Sequence, residues 1–244
     1  MRKLFQHILL IAGAALWVVT CSNFEMPEPV FDRDEGFFRP TEVTALVTVK
    51  CSPEGTVYLQ YGDYRLLPEG LVYNGQQRAM AAMTIYPEMD GDYYRCDLDW
   101  IEPLDMGSFS PGMMDFSDGS FMGNGSDYVP DPVFNFAGDG LEVLSSAYTC
   151  VEDGYLSVHY NTWWGEPPLH HDFKLVAPDF LNPFVLELVQ DSHGDAHDTY
   201  SDGLVCFDIN GLPDTGGKTV TLQLNWTKPN GDKGTAYFGF KSRE

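Results

Sequence analysis

Thr219-Val220-Thr221-Leu222-Gln223-Leu224-Asn225-Trp226 alternates polar and apolar residues without a break. Successive side chains of a strand point to opposite faces, so this period of two places Val220, Leu222, Leu224 and Trp226 on one buried side of a sheet. Asn230-Gly231-Asp232 follows as a hairpin reversal, because Asn and Gly accept positive φ. Phe238 and Phe240 close the chain in the same rhythm. Reading backwards, Val205/Phe207/Ile209, Phe184/Leu186/Leu188, Phe173/Leu175 and Leu156/Val158/Tyr160 repeat it. About six or seven such strands over residues 139–244 predict an antiparallel β-sandwich.

The first half uses the same grammar in shorter pieces. Val43, Ala45, Val47 and Val49 alternate with polar residues, as do Val57, Leu59 and Tyr61, and Tyr94, Cys96, Leu98 and Trp100. Gln77 to Tyr86 is a further candidate, and turn signals at Pro53-Glu54-Gly55, Pro68-Glu69-Gly70, Asn74-Gly75 and Asp90-Gly91-Asp92 separate the runs. Residues 41–106 are therefore predicted to form a small, OB-like five-stranded barrel. After residue 20 no window shows a sustained helical period, so the fold class is all-β.

Between the halves the texture breaks. Residues 107–132 hold five Gly, five Ser, three Pro and four Asp, and 107–138 is predicted to be an interdomain connection without regular structure. Phe109, Phe116, Phe121, Met113, Met114 and Met122 interrupt this reading; they are expected to dock on a neighbouring surface, since large exposed apolar patches are rare, with a contact for a partner as the alternative.

The formal net charge is −22, from 36 acids against 14 Lys and Arg. Phosphate contact needs a positive field, so a general nucleic-acid binder is excluded. Hydrophobic residues make up 43% and aromatics 14%, too many for a disordered chain.

Arg2 and Lys3 precede the apolar run Ile8–Val19. Twelve residues are too few for a spanning helix, which needs about 20, but fit the apolar core of a secretory signal over residues 1–20. Val18-Val19-Thr20-Cys21 resembles a bacterial lipobox, cut before Cys21, which is then acylated. Ser22 in place of Asp points to the outer membrane or cell surface. Residues 21–40, rich in Pro and acids, read as a tether.

With these segments placed, a resemblance becomes visible. Asp139-Gly140-Leu141-Glu142-Val143-Leu144, Gly154-Tyr155-Leu156-Ser157-Val158-His159-Tyr160, His171-Asp172-Phe173-Lys174-Leu175-Val176, Val185-Leu186-Glu187-Leu188, Gly194-Asp195 and Gly203-Leu204-Val205-Cys206-Phe207-Asp208-Ile209 occur in the order and spacing of NigD-like lipoproteins. Ala45-Leu46-Val47-Thr48-Val49-Lys50, Leu66-Leu67-Pro68, Gln77-Arg78 and Tyr93-Tyr94-Arg95-Cys96-Asp97-Leu98 are similar to that family's N-terminal domain. The resemblance implies an OB barrel followed by a sandwich, and a role in bacteriocin immunity. Two departures stand out: Gln190-Asp191 occupies the place of a frequent His beside Asn or Asp, and the 107–132 insert is longer than usual.

Few residues suggest chemistry. Asp191, His193, Asp195 and His197 crowd one loop and are Zn²⁺ or Ca²⁺ ligands by type. However, His at i and i+4 converges on a helix, and this stretch links two strands; a solvated turn is the plainer reading. His170-His171 is a possible contributor from another loop. Trp163-Trp164 is a candidate for stacking on sugar rings or burying in a partner, or else for capping the sandwich core. Cys51 and Cys96 fall in the barrel, Cys150 and Cys206 in the sandwich. One disulfide per domain is open to an exported chain, but buried free thiols are the reading adopted. No nucleophile elbow, zinc-protease helix or phosphate loop occurs, so a carboxylate hydrolase has no residues to name. The expectation is a non-enzymatic, lipid-anchored envelope protein without cofactor. It would bind a protein, in an immunity-like role, or alternatively a glycan, and no nucleic acid.

Overall fold

The computed structural model describes residues 39–111, 140–179 and 181–243. All its regular elements are strands. The first five are β1 (Thr41–Cys51), β2 (Val57–Tyr61), β3 (Tyr64–Pro68), β4 (Gln77–Asp90) and β5 (Tyr93–Pro103). They close into a barrel of order β1-β2-β3-β5-β4, with β3 and β5 parallel and β4 returning to β1. Register shifts between Ala82 and Met83 and between Ile85 and Met89 bend the long β4–β5 ladder round the barrel. Val47, Leu59, Leu66, Ala79, Ala81, Met83 and Cys96 fill the interior, each at most 1% exposed. Burial, and then the charge of Asp97, push the Cys96 thiol up to about 12.

The remaining strands are β6 (Asp105–Met106), β7 (Ser108–Ser110), β8 (Glu142–Val143), β9 (Cys150–Glu152), β10 (Tyr155–Trp164), β11 (Asp172–Val176), β12 (Val185–Asp191), β13 (Thr199–Asp208), β14 (Val220–Thr227) and β15 (Lys233–Phe240). One sheet runs β6-β13-β10-β8, with β9 also on β10; the other runs β15-β14-β12-β11-β7. Their inner faces share one core, including Leu156, Val158, Phe207, Leu186, Leu224 and Phe238. The long ladders, β10–β13 and β14–β15, are antiparallel; β12–β14, β11–β7 and β13–β6 are parallel.

Residues 105–110 correct the expected boundary. Read as the end of the barrel and the start of a structureless connection, they instead form β6 and β7, which belong to the two different sheets of the sandwich. Gly107 makes the crossing. Its N–H donates to the Cys206 carbonyl at 2.9 Å, and a Cβ there would stand 2.2 Å from the Phe207 ring. Phe109 packs against the sandwich core, which explains one apolar residue of that stretch. The rest of the connection, residues 112–138, and Cys21 lie outside the described residues.

The barrel sits on the outer face of the β10–β13 sheet. This explains why Ser157 and Cys206, outward-pointing by register, are both fully buried. Arg78 of β4, 1% exposed, donates to Thr48 Oγ1 at 3.0 Å and pairs with Glu152 of β9. Burial alone would lower the guanidinium pKa, but Glu152, by charge and hydrogen bond, together with Cys150 and Cys206, raises it. Lys50 pairs with Asp153 at 2.9 Å, and the Gly62 N–H donates to Glu152 at 2.6 Å.

Candidate functional site

At the other end of β10 and β13 the sandwich is open among the described residues. A cleft of about 760 Å³ lies there, along the side crossed by β6 and β7. Tyr160, Trp164 and Ser201 reach it from the inner face of one sheet. From the other sheet it takes Phe173, packed on the core, and Asp172 and Val189, whose neighbours Phe173 and Leu188 point the opposite way toward the core. A space that touches both faces of a sheet lies off its edge, and the edge here is β11.

The upper wall is a buried polar network. Thr162 Oγ1 donates to Gln190 Oε1 at 3.0 Å, Gln190 Nε2 donates to His171 Nδ1 at 2.7 Å, and His171 Nε2 donates to Asp195 at 3.1 Å. This network assigns the His171 ring proton to Nε2. Asp195 also accepts from the N–H groups of Gly165 (2.8 Å), Leu169 (3.2 Å) and Ala196 (2.9 Å). These bonds, that from Gly165 foremost, outweigh burial and hold its carboxyl below the ordinary range. Gly165 is required: a Cβ would stand 2.1 Å from Asp195 Oδ1. The network ties the loop after β10 to the loop before β13.

The tandem tryptophans part company, as neighbours on a strand must. Trp164 turns inward and stacks on His171, centroids 4.2 Å apart and planes 11° apart. It therefore caps the core and lines the cleft at once. Trp163 turns outward, stacked on His197 at 5.8 Å and tilted against Tyr200 at 5.1 Å. Tyr200 is 42% exposed.

The four proposed metal ligands do not converge. Asp195 is spent in its network and His197 lies against Trp163. His193, in the left-handed region at φ 55°, reaches Asp172 at 2.9 Å and Asp191 at 3.7 Å. Among the described residues no group of three His, Cys, Asp or Glu side chains is arranged to hold a metal ion. His170-His171 does join this end of the sandwich: His170 meets Asp172 at 3.4 Å, while His171 meets Asp195. The four described cysteines form no disulfide with one another; Cys51 is exposed and Cys150 half-buried, so burial holds only for Cys96 and Cys206.

Sequence reasoning passed over Asp105, Tyr160, Asp172, Lys174 and Asp202, all at the cleft. Asp202 pairs with His159 at 3.0 Å, which holds its carboxyl below the ordinary range, and burial with the nearby Asp105 charge pushes the Tyr160 phenol up. The available signal was the polar start of β13, Thr199–Asp202, paired across to Trp164–Asn161.

Comparison with known proteins places this geometry. Residues 135–240 match the family described as NigD-like C-terminal beta sandwich domain. A solved structure from Parabacteroides distasonis, named as toxin-related, is 23% identical with a TM-score of 0.64, over 83% of this chain and 94% of that one. A NigD-like immunity protein from Bacteroides caccae is 15% identical with a TM-score of 0.50, over 82% and 93%. A Bacteroides fragilis protein named as a lipoprotein is 11% identical with a TM-score of 0.55, over 84% and 100%. Among curated proteins none matches this chain.

Proposed function

We propose, from the match of residues 135–240 to the NigD-like C-terminal beta sandwich domain, that this protein is a lipid-anchored envelope protein that works by binding another polypeptide. The cleft carries this reading. Its apolar floor and polar rim offer contact surface, and three of its lining groups are each fixed by a partner: His171 by Asp195, Asp202 by His159 and Asp172 by His193. Such a surface suits the recognition of a partner. The immunity-like role is suggested by the likeness in fold to the Bacteroides caccae immunity protein. Anchorage through Cys21, at the outer membrane or cell surface, follows from the lipobox pattern.

The test is capture from envelope extracts with the full-length chain in detergent, paired with bacteriocin sensitivity of a deletion strain. One enriched polypeptide and a changed sensitivity are expected. No enrichment together with unchanged sensitivity would end this reading. Radiolabelled palmitate should enter the wild type and not Cys21→Ser.

A second reading, glycan binding, is favoured by one observation. Trp163 and the exposed Tyr200 lie side by side on the outer sheet face beside Asn161 and Asp202, an aromatic surface with polar neighbours of the kind that stacks on sugar rings. A glycan array with wild type and Trp163→Ala separates the two, and silence across polysaccharides removes the glycan.

A further inference from the structure

The two sheet edges beside the cleft are only partly covered. β6 pairs with Val205 and Cys206 of β13, and leaves Thr199–Leu204 without a strand on that side among the described residues. β7 pairs with Lys174, Leu175 and Val176 of β11, and leaves Asp172 and Phe173 likewise. Both uncovered stretches line the cleft. Uncovered strands present rows of N–H and C=O groups, which is a template for one more strand.

The surroundings select what that strand would be. Asp105, Asp172, Asp191 and Asp202 line the cleft, against Lys174 and the imidazoles of His170 and His171. The Asp172 and Asp202 side chains are 63% and 65% exposed. No Lys or Arg occurs between Arg95 and Lys174, a span with 14 acids. The floor, by contrast, is aromatic: Tyr160, Trp164 and Phe173. An extended segment alternates its side chains, so apolar residues would meet this floor while cationic ones meet the carboxylates.

Resting on the polypeptide-binding reading above, we propose that the cleft takes a cationic, alternating polypeptide segment as an added strand beside Thr199–Leu204 of β13 and Asp172–Phe173 of β11. Main-chain hydrogen bonds along the edges would give affinity, and the acidic rim would choose the partner's charge. The uncovered length of β13 accommodates about 20 Å of strand at about 3.3 Å per residue.

The experiment uses the full-length chain in detergent and a fluorescein-labelled nonapeptide of alternating Lys and Val. Fluorescence anisotropy is read for this peptide, for its Glu-for-Lys twin, and for versions N-methylated at either the Val or the Lys amides. Asp172→Lys and Ser201→Tyr alter the cleft. Asp90→Lys makes the same charge change at the far turn of the barrel and controls for net charge. Near-ultraviolet circular dichroism verifies that each variant is folded. Expected are binding of the Lys peptide, none of the Glu twin, and at least about tenfold weakening by Asp172→Lys, by Ser201→Tyr and by one of the two N-methylations. Asp90→Lys should leave binding unchanged. Absent binding, equal weakening by Asp90→Lys, or indifference to both N-methylations would overturn the strand-addition proposal. Should envelope capture succeed while Asp172→Lys and Ser201→Tyr leave it intact, the polypeptide-binding reading survives and this site does not.

Discussion

One pair of strands, β10 and β13, meets two different fates along its length. At the Tyr155–Ser157 and Cys206 end the barrel covers it, and charge is paired there: buried Arg78 with half-buried Glu152, and Lys50 with Asp153, both half-buried. At the Trp164–Thr199 end nothing among the described residues covers it, and carboxylates stand round an open cleft. A covered sheet end can be held by ionic pairs because their geometry is enforced from both sides. An open end needs its own internal frame, and the Thr162-Gln190-His171-Asp195 network supplies it. The lesson is that identical strand grammar yields a joint or a receptor according to what packs on its outer face.

Breaking the closed end should cost most. Glu152→Gln would leave the fully buried Arg78 guanidinium without its counter-charge, and denaturant unfolding should show a loss of about 3–5 kcal/mol. At the open end the two indoles separate. Trp164→Ala removes the ring stacked on His171 and should cost about 2–3 kcal/mol, whereas Trp163→Ala on the outer face should cost less than about 1 kcal/mol. A smaller effect, confined to acid, belongs to Asp195. Its carboxyl is held below the ordinary value in the folded chain, so the stability it adds is complete above the unfolded pKa and is lost as pH falls through the folded one. Unfolding midpoints should therefore decline below about pH 4, near the ordinary carboxylate value, with a shallower decline in Asp195→Asn. The gentlest probe is a thiol reagent at pH 8. Exposed Cys51 should react at once, while Cys206, pushed up to about 11 chiefly by burial, and Cys96 should wait for unfolding.

The architecture was legible in the sequence wherever one face of a strand was dry and the other wet. Val220–Trp226 announces itself that way, and so does Tyr94–Leu98, but the period slips at the bulge beyond: Trp100, expected on the same dry face, turns outward at 46% exposed while Ile101 packs on the barrel core. The alternation fails where both faces are buried, as in Tyr155–Val158 beneath the barrel, and where both are exposed, as in Thr199–Asp202. It also fails for β6 and β7, which are too short to carry a period and are set by Gly107 against Phe207. The site was harder for a related reason. Loop residues such as Asp191, His193, Asp195 and His197 are neighbours in the chain, yet their partners, Asp172, His171 and Trp163, come from other elements. Composition signals the ingredients; only pairing register decides which of them meet. Trp163-Trp164 shows the point most simply, since adjacent letters became opposite faces.

Leu104 is the only residue between β5 and β6, and its N–H is held by the Arg78 carbonyl at 3.0 Å. The passage from barrel to sandwich therefore has no slack. A tug arriving through β1 would be shared by its ladders with β2 and β4 as shear, and would pass to the sandwich as through a welded bracket. Whatever settles in the cleft is thus presented at a set angle to the first domain, much as a lens is fixed in its mount.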